Sequence, residues 1–112
     1  VHTVVETLPY LRAAASLFSE EERSLIVDMV SADPECGEVM RGTGGFRKVR
    51  FARAGMGKRG GARVVYIVRR EDTPAFLITV FAKNEKGNLS KEERNQLAKT
   101  ADSLFETYRR RK

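Results

Sequence analysis

Phe46-Arg47-Lys48-Val49-Arg50-Phe51-Ala52-Arg53 and Ala62-Arg63-Val64-Val65-Tyr66-Ile67-Val68-Arg69-Arg70 are the two stretches that decide the architecture. In the first, apolar and basic residues alternate. In the second, a mostly apolar run carries an arginine near its start and two more at its end. Alternation with a period of two, rich in β-branched and aromatic residues, is the pattern of a strand with unlike faces. The residues between, 54–61, are dominated by glycine, which favours a turn and breaks regular structure. Two strands joined by so short a connection pair antiparallel, so the two stretches predict a long hairpin.

Working outward from the hairpin, Glu71-Asp72-Thr73-Pro74 has the chemistry of a turn. Residues 76–83 then read as a third strand with both faces partly apolar, ended by Asn84-Glu85-Lys86-Gly87-Asn88. Ser90-Lys91-Glu92-Glu93 is a capping box, with a hydroxyl and a carboxylate spaced to satisfy free N–H groups at a helix start. Leu97, Ala98, Ala101, Leu104, Phe105 and Tyr108 form the apolar stripe of that closing helix. On the other side, His2-Thr3-Val4-Val5-Glu6 is a short β-like opening, and Leu8, Leu11, Ala15 and Phe18 recur at helical spacing. A second capping box, Ser19-Glu20-Glu21-Glu22, starts another helix with the stripe Leu25, Ile26, Met29 and Val30. Asp33-Pro34 stops it, because a residue before proline is pushed out of the α region. Gly42-Thr43-Gly44-Gly45 is a loop into the hairpin. The order is strand, two helices, three strands, helix. It predicts an α+β domain whose sheet is mainly antiparallel, with two N-terminal helices and a C-terminal helix packed on one face. Residues 1–112 are expected to form a single domain.

Charge is distributed very unevenly. The chain holds 21 Lys and Arg against 15 Asp and Glu, a formal net charge of +6. Residues 1–40 carry two basic and eight acidic groups, residues 41–70 ten and none, and residues 71–112 nine and seven. A basic middle on strands is an electrostatic footprint for polyphosphates, with nucleic acid the first partner to expect. Cys36 is the only cysteine and His2 the only histidine, so neither an intramolecular disulfide nor a His/Cys metal constellation can be assembled. No cofactor is expected. Apolar runs are of strand length and no charged segment followed by an apolar one opens the chain, so a cytoplasmic protein without a membrane span or signal peptide is expected.

Residues two apart on a strand share a face, so Lys48 and Arg50 lie together. Arg63 lies within an otherwise apolar strand, two residues from Val65, and Lys83 ends the third strand on the side of Phe81 and Thr79. If one register brings Lys48, Arg50, Arg63 and Lys83 onto the helix-free face, the sheet presents a rigid cationic platform. For Arg63 the competing reading is a buried ion pair with the acidic helix. Arg53, Arg69 and Arg70 read as solvated strand-end or edge charges. Arg47 shares that reading and also counts, with Lys58 and Arg59 of the glycine-rich connection, as a candidate contact to an RNA backbone. Gly55-Met56-Gly57-Lys58-Arg59-Gly60-Gly61 lacks the spacing and the following helix of a phosphate-binding P-loop. Phe46, Tyr66 and Phe81 are expected in or near the core, and Tyr108 in the helix stripe.

Three strings together, Gly42-Thr43-Gly44-Gly45-Phe46-Arg47-Lys48-Val49-Arg50, Gly57-Lys58-Arg59-Gly60-Gly61-Ala62-Arg63-Val64-Val65-Tyr66 and Phe81-Ala82-Lys83-Asn84-Glu85, resemble the RelE/HigB toxins of bacterial type II toxin–antitoxin systems, the HigB branch in particular. The resemblance spans nearly the whole chain. It implies a RelE-like fold and a metal-free mRNA interferase that cleaves translated mRNA in the ribosomal A site, against 16S rRNA, until a cognate helix-turn-helix antitoxin of the HigA type inhibits it. Carried over by motif, Arg63 matches the family's phosphate-stabilising arginine. Lys48 and Arg50 match its basic pair on the preceding strand, and Lys83 a basic position at the end of the last strand. Asn84 stands where RelE has a further arginine, and Gly87-Asn88-Leu89-Ser90 contains no counterpart of its tyrosine.

Attack by a 2′-oxygen on its own phosphodiester requires removing a proton from the nucleophile, neutralising the charged transition state and protonating the departing 5′-oxygen. A guanidinium stays charged and binds phosphate oxygens through two parallel bonds, which suits Arg63 to the second task. Lys48 and Lys83 are the lysines available to move protons. Two other functions fit the same basic face: an RNA- or ribosome-binding module without catalysis, and a ParE-like toxin that acts on gyrase through the same fold.

Overall fold

The computed structural model describes residues 2–52, 61–82 and 89–111. In chain order the elements are β1 (Val4–Glu6), α1 (Leu8–Ala14), α2 (Glu20–Ala32), β2 (Glu38–Val39), β3 (Phe46–Phe51), β4 (Ala62–Ile67), β5 (Ala75–Ala82) and α3 (Lys91–Arg111). The hairpin read from the sequence is β3–β4, antiparallel in register from Phe46 opposite Ile67 to Phe51 opposite Ala62. β5 continues the antiparallel meander, with an irregularity where Val65 faces Thr79 and Tyr66 faces Leu77. The sheet order is β1-β5-β4-β3-β2, and β1 pairs parallel with β5. The fold is α+β, as expected. β2, a two-residue edge strand beside β3, is an addition that alternation over so short a span does not reveal.

Both capping boxes form. The Ser19 hydroxyl accepts from the Glu22 N–H at 3.1 Å while the Glu22 carboxylate accepts from the Ser19 N–H at 3.0 Å, and Ser90 and Glu93 repeat the exchange at 3.1 and 2.9 Å. α1 is shorter than its apolar spacing suggests. It ends at Ala14, and Phe18 is buried from the connection that follows. Leu8 and Leu25, both read as stripe residues, are exposed, while Ile26 and Val30 carry the burial of α2. β4 ends at Ile67, three residues early, because Arg70 and Thr73 close a turn through Arg70 N–H to Thr73 Oγ1 (3.1 Å) and Thr73 N–H to Arg70 O (3.3 Å).

The expectation that all helices share one face is corrected. α1 and α2 cover one face, over Ala62, Val64, Tyr66, Ala75, Leu77 and Val80. α3 covers the other, with Leu97 and Ala101 buried against Phe46, Val65, Ile67, Phe76 and Ile78. The reason is visible in β4 and β5. Val64 through Ile67 and Ala75 through Ile78 are buried without interruption, and a strand apolar on both faces needs cover on both. Edge-to-face contacts of Phe76 with Phe105 and Tyr108 hold the C-terminal half of α3 on its face. Among the described residues, no helix is long and apolar enough to cross a membrane.

Candidate functional site

The register arranges the α3 face in three rows. Phe46, Ile67 and Phe76 form the first, fully roofed by α3. Lys48, Val65 and Thr79 form the second, with Glu38 of β2 opposite Lys48. Arg50, Arg63 and Phe81 form the third. The face thus grades from apolar under the helix to cationic beyond it. Lys48 and Arg63 are half-buried and Arg50 is exposed.

Arg50 and Arg63 are direct cross-strand partners, an arrangement that like charges disfavour. Arg63 Nη1 is sealed from solvent and finds no hydrogen-bond partner among the described residues. Burying a donor without an acceptor costs about 1–3 kcal/mol. Among the described residues, the ion pair with the acidic helix that the sequence also allowed for Arg63 is not formed. A guanidinium held in this way, beside a second arginine and a lysine, is suited to an anion that brings its own oxygens. A backbone phosphate has the matching charge.

The remaining sequence candidates separate. Arg47, one residue from Lys48, points to the α1/α2 face. Its Nη1 donates to Gly37 O at 2.8 Å and to Glu35 O at 3.4 Å, and Nη2 lies 3.6 Å from the Glu35 carboxylate. It is therefore not brought together with Lys48, Arg50 and Arg63. Lys58, Arg59, Lys83 and Arg53 lie outside the described residues. Arg70 pairs with Asp72 at 3.0 Å. Arg69 is more than a solvated charge: it pairs with Asp102 at 3.0 Å and stacks 4.6 Å from the centre of the Phe105 ring, tying β4 to α3.

The loop Gly42-Thr43-Gly44-Gly45 aims β3. All three glycines have positive φ, at 75°, 78° and 108°, a region closed to most side chains. Buried Thr43 donates to Met40 O at 2.8 Å and accepts from the Phe46 N–H at 3.0 Å, so the turn enters the strand at a fixed residue. That fixes which side chains join the α3 face. On the opposite face, Tyr66 is fully buried and its hydroxyl donates to Pro34 O and accepts from the Gly37 N–H, both at 2.8 Å. Burial pushes this phenol well above its ordinary pKa, and the Cys36 thiol at 3.5 Å adds to the shift.

Sequence reasoning passed over Glu38, a carboxylate opposite Lys48, because its strand carries no periodic signal. It also passed over Arg94 of α3, whose Nε is buried without a partner. Its position in an amphipathic helix gives no local sign of function. No group of His, Cys, Asp and Glu able to hold a metal ion occurs among the described residues.

Comparison with known proteins fits this geometry. Residues 28–111 match the family model described as the RelE toxin of the RelE/RelB toxin–antitoxin system, which covers most of the chain and all three cationic positions. Among solved structures, the chain is similar to a double arginine-to-alanine mutant of the E. coli toxin RelE in the free state. The identity is 21%, with 77% of this chain and 87% of that one covered and a TM-score of 0.56, a likeness of fold.

Proposed function

This chain belongs to the RelE toxin family, the toxin half of a toxin–antitoxin system, and we propose that it is an mRNA interferase of the HigB branch that cleaves translated mRNA in the ribosomal A site. The observation that carries this reading is Arg63. It is paired across the ladder with another arginine, shares a face with Lys48, and buries a guanidinium nitrogen that has no acceptor among the described residues. In the proposed reaction the 2′-oxygen of the substrate attacks the adjacent phosphorus, the 5′-oxygen leaves with a proton, and a 2′,3′-cyclic phosphate remains. Arg63 neutralises the charge that builds on the phosphoryl oxygens, the step at which fixed donors contribute most. Arg50 holds the same or the next phosphate. Proton transfer falls to Lys48, to Lys83 by resemblance of motif, and to Glu38, whose carboxylate sits opposite Lys48. Lys58 and Arg59 extend the contact to the RNA backbone.

Residues 1–112 act as one cytoplasmic toxin domain, and the partner that restrains it is a helix-turn-helix antitoxin of the HigA type. Finding a small helix-turn-helix protein encoded next to this chain would support that pairing. Expression of wild-type protein is expected to arrest growth, while Arg63→Ala folds and is harmless. Undiminished mRNA cleavage by Arg63→Ala contradicts the reading. Steeply salt-dependent RNA binding without cleavage, with or without ribosomes, instead identifies a binding module.

A further inference from the structure

Among the described residues, two guanidinium nitrogens are buried without a partner, one on Arg63 and one on Arg94. The first belongs to the sheet and the second to the helix that roofs the same face. Arg94 is half-buried, and the contact recorded for its guanidinium is a long one, Nη1 to Arg41 O at 3.5 Å. One turn on, Ala98 packs on the same loop, where a Cβ at Gly44 would lie 3.8 Å from the Ala98 side chain. Arg94 and Ala98 are four apart and share a helix face, so this face of α3 rests on the turn that opens directly into β3. Lys48 follows that turn by three residues, roughly 10 Å of extended chain. Exposed Arg41 adds a cation on the same side. Glu93 accepts from the Ser90 N–H at 2.9 Å, and Glu92, two residues from Arg94, lies on another side of the helix.

We infer that Arg94 is a phosphate-binding residue on the same face, holding an RNA backbone phosphate further along the strand than the one held by Arg63 and so positioning the strand for cleavage. This rests on the reading of the α3 face as an RNA-cleaving surface. A planar fork with one edge fixed against a carbonyl and with donors to spare is suited to a phosphate, whereas a point charge would fit less specifically. Because Arg94 holds a phosphate that does not react, its effect belongs to binding rather than to the chemical step.

The test uses wild type, Arg94→Gln, Arg94→Lys and Arg63→Ala, each checked for an unchanged melting temperature. Two readouts are needed: affinity for a labelled single-stranded RNA as a function of salt, and steady-state cleavage on ribosomes programmed with mRNA. Arg94→Gln is expected to raise KM about tenfold with kcat within about twofold, and to reduce the slope of log affinity against log salt by about 0.7, the share of one phosphate. Arg94→Lys is expected to restore the slope and part of KM. If the loss appears only with ribosomes, the phosphate is presented on the ribosome; if with free RNA too, it belongs to the single strand, and either result supports the inference. A wild-type KM and slope in Arg94→Gln overturn it while leaving the proposed function standing, and so does a lysine variant that binds as poorly as glutamine with the same reduced slope. Wild-type protein that neither binds nor cleaves RNA overturns both.

Discussion

Arg47 and Arg63 lie on the two paired strands of one hairpin, opposite Tyr66 and Arg50 respectively, yet end in opposite circumstances. Arg47 turns to the α1/α2 face, where the carbonyl groups of Glu35 and Gly37 and the Glu35 carboxylate receive it. Arg63 turns to the α3 face, opposite a second arginine, with a buried nitrogen that has no acceptor among the described residues. One face has used its polar groups to fix a loop; the other leaves a guanidinium nitrogen of Arg63 without an acceptor among the described residues. A charge that a fold satisfies is structural, and a charge that a fold holds in place without satisfying is available for a ligand.

The comparison breaks most sharply at Gly37. A Cβ there would sit 2.8 and 2.9 Å from Tyr66 Cε1 and Oη and 3.0 Å from Lys48 O. Gly37→Ala is therefore expected to cost about 1–3 kcal/mol, seen as a melting temperature lowered by several degrees. Unchanged melting would mean that the loop is not held as described. Next in size is Arg47→Ala, expected to lower stability by roughly 1–2 kcal/mol in urea titrations with little effect on kcat. A large loss of cleavage at full stability would instead move Arg47 into the functional set.

The smallest effect is one of pH. Burial pushes the Tyr10 phenol up to about 12, with Glu6 adding to the shift and Arg23 opposing it, and Tyr66 is raised as well. Unfolded phenols ionise near 10, so above that pH the unfolded chain loses protons that the folded one retains. Stability should be full below about pH 10 and fall by about 1 kcal/mol per buried phenol between about pH 10 and 11. Tyr10→Phe should flatten that fall, measured as the change in urea midpoint with pH. An equally steep fall in the variant would place the titrating group elsewhere.

The hairpin and its two unlike faces were legible because period-two alternation is a local signal, and so was the grouping of Lys48, Arg50 and Arg63. The side taken by α3 was written more faintly. β5 reads apolar on both faces, which already demands cover on both, but the antiparallel order alone does not say which helix supplies it. The parallel pairing of β1 with β5 and the edge pairing of β2 depend on contacts distant in sequence or too short to show a period. Glu38 was missed with β2. Arg94 was missed because an arginine in an amphipathic helix is ordinarily solvated, and only the packing of α3 on the 41–45 turn distinguishes it.

In the proposed function the α3 face, and Arg63 on it, performs RNA cleavage. The most direct test of that function is single-turnover cleavage of mRNA on programmed ribosomes, mapped by primer extension, with wild type, Arg63→Ala and Arg47→Ala side by side. Wild type and Arg47→Ala are expected to cut within the A-site codon at similar rates, and Arg63→Ala to be slower by about 10²–10³-fold, the loss typical of removing one preorganised transition-state donor. Cleavage by folded Arg63→Ala at the wild-type rate would contradict the account.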